Sequence, residues 1–112
     1  MTRRVEISHR AERRLKEIAA WTADRFGTAQ ALDYEAVLLD RVTALARDTA
    51  HVKPLSHFTG LARHSDILTT RAGAHLLLIR RAKDGTLVIS DIVHSRSDLG
   101  RAAGSSPQQK DT

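Results

Sequence analysis

The sequence predicts an α+β domain in which an N-terminal strand and an α-helical hairpin pack on a small antiparallel β-sheet. Three observations support this prediction. Residues 3–8 alternate between apolar and polar side chains, residues 9–48 hold two segments with helical spacing, and residues 67–99 hold apolar runs separated by an Asp-Gly pair. Because the helical segments are grouped together and most strands follow them, the pattern is typical of an α+β domain.

The first strand is predicted where Val5 and Ile7 alternate with polar residues. Ser8 can cap a first helix that runs to about Phe26, and Gly27 then stands where a helix C-cap is favoured. One apolar stripe follows this helix at spacings of three and four residues: Ala11, Leu15, Ile18, Thr22 and Phe26.

A second helix is predicted from about Ala29 to Asp48, with Thr28 as its N-cap. The link is so short that the two helices must be antiparallel neighbours. The second helix has a wide apolar arc, which the first helix and the sheet together can cover. Tyr34 belongs to this arc and is expected mainly in the core, or in a groove where the arc is left open. Trp21 lies off the main stripe of the first helix and is a candidate for the same groove.

The strands near the end of the chain form a predicted hairpin. Residues 49–66 are interpreted as a loop, and a strand is predicted from Ile67 to Arg71. Two further strands are joined by Asp84-Gly85, a pair that favours a two-residue type I′ turn. Because these strands consist almost entirely of Leu, Ile and Val, we expect them to be buried on both faces.

A two-residue turn fixes the register of this hairpin. His75 then faces His94, Leu78 faces Asp91, and Arg80 is a diagonal neighbour of Asp91. We interpret Arg80 and Asp91 as a structural ion pair, with contact of Arg80 to a macromolecular target as the alternative. The two histidines have no carboxylate or cysteine at ligand spacing beside them, so the sequence predicts no metal site and no cofactor.

Composition limits the class of protein. The chain has 112 residues and no cysteine, which excludes disulfides and thiolate metal sites. Residues 1–99 are expected to form a single domain, and residues 100–112, which lack periodicity and hydrophobicity, a disordered tail. Neither a secretory h-region nor an apolar run of membrane-spanning length is visible, so a cytoplasmic protein without membrane contact is expected.

The chain is basic, with a net charge of +5. Four of its 18 Lys and Arg residues are lysines, which leaves 14 arginines. The planar guanidinium suits bidentate contacts to phosphate or carboxylate, so the charge favours nucleic acid or an acidic protein as partner. A GC-rich genome would produce the same excess of arginine, and charge alone leaves the partner open.

Short sequence motifs lie on the predicted helices and strands in a fixed order. The first helix begins with A-x-x-x-L-x-E-I (Ala11, Leu15, Glu17, Ile18), and the helix junction reads F-G-x-x-x-A (Phe26, Gly27, Ala31). In the predicted hairpin, Ile79-Arg80 precedes the turn. The last strand and the residues after it follow the pattern I-x-x-I-x-H-x-R-x-D (Ile89, Ile92, His94, Arg96, Asp98). Over about residues 3–99, this order resembles the ParE/RelE superfamily of toxins from bacterial type II toxin–antitoxin modules.

The resemblance implies one of two activities. RelE-like members are ribosome-dependent mRNA endonucleases, and His94, Arg96 and Arg71 would be the catalytic residues of such an enzyme here. The C-terminal tyrosine of those nucleases would fall near Ala102, whereas the one tyrosine of this chain is Tyr34. The sequence therefore favours the ParE-like branch, which inhibits DNA gyrase and has no assigned catalytic residue, with the RelE-like endonuclease as the alternative.

The resemblance also implies partners and a role in growth inhibition and plasmid maintenance. A cognate acidic antitoxin would fold on the toxin, and the target would be DNA gyrase, or the ribosome and its mRNA in the alternative. Arg96 and Asp98 follow the last strand and either form local turns or contact a partner. The residues expected to contact the target or the antitoxin are Arg71, Arg80, Arg96, His94, Asp98, Trp21 and Tyr34.

Overall fold

The computed structural model describes residues 3–94, so the predicted disordered tail of residues 100–112 lies outside the described residues. Two long helices, α1 (His9–Phe26) and α2 (Thr28–Ala46), are followed by a short helix α3 (Ser56–Thr59) and a 3₁₀ turn (Ala62–His64). The strands are β1 (Val5–Ile7), β2 (Lys53–Pro54), β3 (Leu68–Ala72), β4 (His75–Arg81) and β5 (Leu87–His94). No helix in this part of the chain is both long and apolar enough to cross a membrane.

The five strands form one sheet in the order β1-β5-β4-β3-β2. The α+β class is confirmed, but the sheet is mixed rather than antiparallel, because β1 pairs with β5 in parallel. A parallel pair requires a long crossover connection, and the α1–α2 hairpin lies within the connection that joins these two strands. The sequence does not predict β2, since Lys53-Pro54 resembles a loop; proline is tolerated there because β2 is an edge strand.

Ser8 joins the start of α1 to the sheet. Its hydroxyl oxygen accepts a hydrogen bond from the Ala11 N–H (3.1 Å), which is the predicted N-cap, and the hydroxyl donates to the carbonyl of Ser90 on β5 (3.0 Å). At the other end of α1, Gly27 has a φ of 95°. Because α2 begins directly after Gly27, Thr28 is the first residue of α2 and not its cap.

The central strands β4 and β5 are buried on both faces, as their apolar content predicts. One face packs against α1 and α2 in a core that includes Ala11, Leu38, Leu45, Leu77, Ile79, Leu87, Ile89 and Ile92. The opposite face packs in a second core of Leu55, Ile67, Leu76, Leu78 and Val93. The segment between α2 and β3, predicted as a loop, therefore covers the second face, where burial of Leu55 contributes roughly 1.5 to 3 kcal/mol.

The turn between β4 and β5 differs from the prediction. The Ala82 N–H donates to the Thr86 carbonyl (2.8 Å), which closes a three-residue loop that contains Asp84 and Gly85. Gly85 has a φ of 90°, but Asp84 does not have a positive φ. A two-residue type I′ turn needs a positive φ at both central residues, so that prediction is wrong. The Asp84 carboxylate accepts the Thr86 N–H (2.9 Å), which holds the pKa of Asp84 below its ordinary value.

A β-bulge changes the register within the hairpin. At the end far from the turn His75 pairs with His94, as predicted, but on the turn side of the bulge Arg80 pairs with Val88. Arg80 is exposed and forms no ion pair with any residue in the range 3–94. The predicted ion pair between Arg80 and Asp91 is therefore wrong, because the extra residue of the bulge displaces Arg80 by one position along β5.

Asp91 is bound by α1 instead. Its carboxylate, only 5% exposed, accepts hydrogen bonds from Nε of Arg14 (3.1 Å) and from the backbone N–H of Ile92 (2.8 Å). A nitrogen of Arg10 lies 4.0 Å from the same carboxylate. The hydrogen bond to Asp91 raises the pKa of Arg14 above its ordinary value. This ion pair fixes α1 against β5, since a buried carboxylate that lost its partner would be costly.

We expect Arg14→Gln to lower the free energy of unfolding by about 1 to 2 kcal/mol, because it leaves the buried Asp91 carboxylate without its charged donor. The matched variant Arg80→Gln makes the same change of charge on an exposed side chain and should stay within about 0.5 kcal/mol of the wild type. Urea unfolding at neutral pH measures both values. Equal losses in the two variants would contradict this assignment of the ion pair.

Candidate functional site

An open groove lies where α1, the start of α2 and the ends of β4 and β5 meet, and we call it the helix groove. It has a volume of about 460 Å³. Most of its lining is apolar, with two histidines at one side. The side chains that line it include Ile18, Trp21, Phe26, Tyr34, His75 and His94.

Trp21 and Phe26 form an exposed aromatic pair on the α1 side of the helix groove. Trp21 is 55% exposed and Phe26 is 63% exposed, and their rings meet edge to face with centroids 6.0 Å apart. The Arg25 guanidinium carbon lies 5.0 Å from the centroid of the Trp21 ring, as in a cation–π contact. The predicted place of Phe26 in a buried stripe is wrong, because Phe26 is the last residue of α1.

Tyr34 connects α2 to the turn between β3 and β4. Its hydroxyl donates to the carbonyl of Ala72 (3.1 Å), accepts the N–H of Ala74 (2.9 Å) and lies 2.6 Å from Nδ1 of His75. Burial raises the pKa of Tyr34 above its ordinary value. Tyr34 is half-buried and lines the helix groove, which agrees with the second of the two places expected for it, a groove where the apolar arc of α2 is left open.

His75 and His94 form the cross-strand pair that the register predicts. Their ring centroids are 5.7 Å apart and the ring planes are nearly perpendicular. Within residues 3–94, no group of three or more His, Asp or Glu side chains is arranged to hold a metal ion. The pair forms a polar wall of the helix groove, and its His75 ring contacts the hydroxyl of Tyr34.

A second opening of about 500 Å³ lies beside β2 and β3, and we call it the basic groove. Its lining includes Arg41 from α2, Lys53 from β2, Arg71 from β3 and the side chains of His51 and Phe58. The lining contains no Asp or Glu. The basic groove is therefore a concentration of positive charge separate from the helix groove.

The structure separates the predicted site residues into groups. Trp21, Tyr34 and His94 line the helix groove, whereas Arg71 lines the basic groove. Arg80 lines neither groove. Arg96 and Asp98 lie outside the described residues, so their predicted contacts with a partner stay predictions.

Sequence reasoning did not identify Arg41, Lys53 or Phe58 as site residues. For Arg41 a signal existed, because it lies three residues after Leu38 and four before Leu45, both of which are buried on α2. An arginine in a buried row is unusual and indicates a special environment. For Lys53 and Phe58 no periodicity is available, because both lie in the segment that resembles a loop.

The fold described above, a helical hairpin on a five-stranded sheet, is that of the ParE/RelE-like toxins. A family model described as the ParE toxin of the type II toxin–antitoxin system parDE matches residues 5–99. The chain therefore belongs to the ParE toxin family and is the toxin of a type II toxin–antitoxin system. A comparison with curated proteins found no match.

The solved structures that are similar to this chain include two from toxin–antitoxin systems. One is from the chromosomal ParDE toxin–antitoxin system of P. aeruginosa, with a TM-score of 0.63 and 14% identity over 83% of this chain and 96% of that one. The other is from the RelBE2 toxin–antitoxin complex of Mycobacterium tuberculosis, with a TM-score of 0.45 and 22% identity over 84% and 99%. At this identity the first likeness supports the fold alone.

Gly73 lies at the turn between the two grooves, and its substitution tests the contact with Tyr34. Gly73 has a φ of 60°, and a Cβ added there would lie 2.6 Å from Cε1 of Tyr34. Gly73→Ala should lower the free energy of unfolding by about 3 kcal/mol, because it combines backbone strain with displacement of a hydrogen-bonded ring. The control Gly85→Ala has a similar φ but open space around its Cβ, and should cost only about 1 to 2 kcal/mol. Thermal unfolding would contradict the contact if both variants lost the same amount.

His64 anchors the segment that carries Phe58. Its ring is buried, and Nδ1 lies 2.8 Å from the hydroxyl of Thr59 at the end of α3. Burial, with a smaller effect of the neighbouring Arg63 charge, lowers the pKa of His64 below its ordinary value of 6.5. The folded protein therefore favours neutral His64, and the unfolded chain binds the proton more readily.

This difference in proton binding predicts a loss of stability in acid. As the pH falls below about 6.5, the unfolded chain takes up a proton that folded His64 resists, so the free energy of unfolding falls. His64→Gln should reduce the pH dependence of stability between pH 6.5 and 5, measured by urea unfolding at several pH values. His57→Gln, which changes an exposed histidine, should keep the dependence of the wild type. An unchanged dependence in His64→Gln would disprove the role of His64.

Proposed function

We propose that this toxin inhibits DNA gyrase by binding to it, and that a cognate acidic antitoxin neutralises it by folding into the helix groove. Both events would take place in the cytoplasm, and no cofactor takes part. The observation that carries the antitoxin part of the proposal is the exposure of Trp21 and Phe26 beside an open apolar groove. Exposed apolar patches mark interaction surfaces, and tryptophan is enriched among the residues that dominate binding.

The helix groove favours an amphipathic, acidic segment as its occupant. Ile18, Trp21 and Phe26 offer an apolar floor along one side of α1, which suits the apolar face of a partner helix. Arg25 lies at the same surface and would attract acidic residues of the partner, whereas Arg14 is already paired with Asp91 and Glu17. The net charge of +5 would also accelerate association with an acidic chain.

The separation of Arg71 from His94 argues against a nuclease site built from these two residues. A nuclease must bring an acid or base and a phosphate-neutralising cation to the same phosphate. These two residues line different grooves on either side of the β3–β4 turn. The choice of gyrase as the target rests on membership of the ParE family.

A supercoiling assay titrated with antitoxin tests both parts of the proposal. The purified toxin should inhibit negative supercoiling of a relaxed plasmid by gyrase, and the product of the adjoining antitoxin reading frame should restore the activity. The Trp21→Ala toxin should bind this antitoxin about 30-fold more weakly in calorimetry, because a buried tryptophan anchor contributes about 2 kcal/mol. Restoration should then need correspondingly more antitoxin.

Leu39→Ala is the matched control. Leu39 is a large apolar side chain on α2, 45% exposed, and it does not line the helix groove. This variant should bind antitoxin as the wild type does. Equal affinity for Trp21→Ala and wild type would exclude the helix groove as the antitoxin site. An intact gyrase reaction together with cleavage of translated mRNA would replace gyrase inhibition with the RelE-like activity.

A further inference from the structure

The cations of the basic groove have no acidic partners. Arg41, Lys53 and Arg71 line one opening, and none of them forms an ion pair with a residue in the described range. Other arginines of this protein, such as Arg14 and Arg3, are paired with Asp91 and Asp48. The concentration of unpaired positive charge in a concave site raises the local electrostatic potential and attracts anions.

Arg41 adds evidence for a specific ligand. Its Nε atom is buried and has no hydrogen-bond partner among the described residues. A buried donor without an acceptor is unfavourable, because the group has lost its water without gaining a partner. An oxyanion in the basic groove would supply the acceptor, and guanidinium groups suit the oxygens of a phosphate.

The backbone around these cations is held in place. The hydroxyl of Thr69 donates to the carbonyl of Lys53 (2.9 Å), and the hydroxyl of Thr70 donates to the carbonyl of His51 (2.9 Å). The segment that carries Lys53 and His51 is thereby fixed to β3, which carries Arg71. The backbone positions of these residues are thus fixed before a ligand arrives, which reduces the entropy that binding costs.

Flat rings lie in the same groove. Phe58, 38% exposed, and His51 both line it together with the cations. Phosphate-binding cations beside exposed rings are the combination that single-stranded nucleic acids require, since successive bases stack on aromatic side chains while the backbone follows positive charge. An oligoglutamate would use the cations but has no aromatic surface to place against the rings.

We propose that the basic groove binds single-stranded nucleic acid, with a backbone phosphate held by Arg41, Lys53 and Arg71 and a base stacked on Phe58. The site is distinct from the helix groove, and its occupation requires neither gyrase nor the antitoxin. Binding of an oligonucleotide therefore tests this proposal independently of the proposed function.

Fluorescence anisotropy with the full-length protein and a labelled 12-nucleotide single strand, as DNA and as RNA, measures the binding. Arg71→Gln and Lys53→Gln should each weaken binding several-fold and reduce the slope of log affinity against log salt by about 0.7, the value for one lost phosphate contact on a single strand. Phe58→Ala should weaken binding between about fivefold and 100-fold with little change in that slope. Both single strands should bind more tightly than a duplex of the same sequence.

Arg13→Gln is the matched control, because Arg13 is an exposed arginine on α1 that lines neither groove and forms no ion pair with residues 3–94. It removes the same charge and should leave affinity and salt slope near those of the wild type. Because Arg71 and Lys53 are exposed, their variants should fold, which a thermal unfolding curve checks. Equal weakening by Arg13→Gln, unchanged slopes in the two groove variants, or displacement of the strand by an oligoglutamate of equal charge would each overturn the proposal.

Discussion

Burial of β4 and β5 on both faces is the constraint on which the rest of the structure depends. A strand pair made of Leu, Ile and Val is stable in water only if something covers each side of it. The α1–α2 hairpin covers one side, and the segment from β2 to the 3₁₀ turn covers the other. Both grooves lie where these covers end, so the positions of the candidate sites follow from how far each cover extends over the sheet.

The β3–β4 turn lies between the two grooves and connects their walls. Tyr34 lines the helix groove and packs against Gly73, which lines the basic groove. One phenol thereby supports a wall of each site, and its hydroxyl holds the backbone of the turn through Ala72 and Ala74. Loss of this phenol would therefore disturb both surfaces together.

The sequence predicted those features that depend on periodic burial. The stripe of α1, the Ser8 cap and the double-sided hairpin all follow from side-chain spacing. Spacing also made Trp21 a candidate for an open groove, whereas for Tyr34 the groove was the alternative to a place in the core. The bulge, the Arg14–Asp91 pair and the basic groove could not be predicted. Each depends on backbone irregularity or on contacts between residues far apart in the chain, which leave no local pattern in the sequence.

The bulge in β5 and the turn beside it deviate from a regular hairpin in opposite directions. The three-residue turn shifts the pairing by one position, and the bulge shifts it back, so that His75 meets His94 as a regular two-residue hairpin would require. The two deviations cancel before the strand reaches the helix groove. The turn and the groove wall are therefore coupled through the register of the hairpin. A change in the length of the turn without a matching change at the bulge would move His94 away from His75 by one position along the strand.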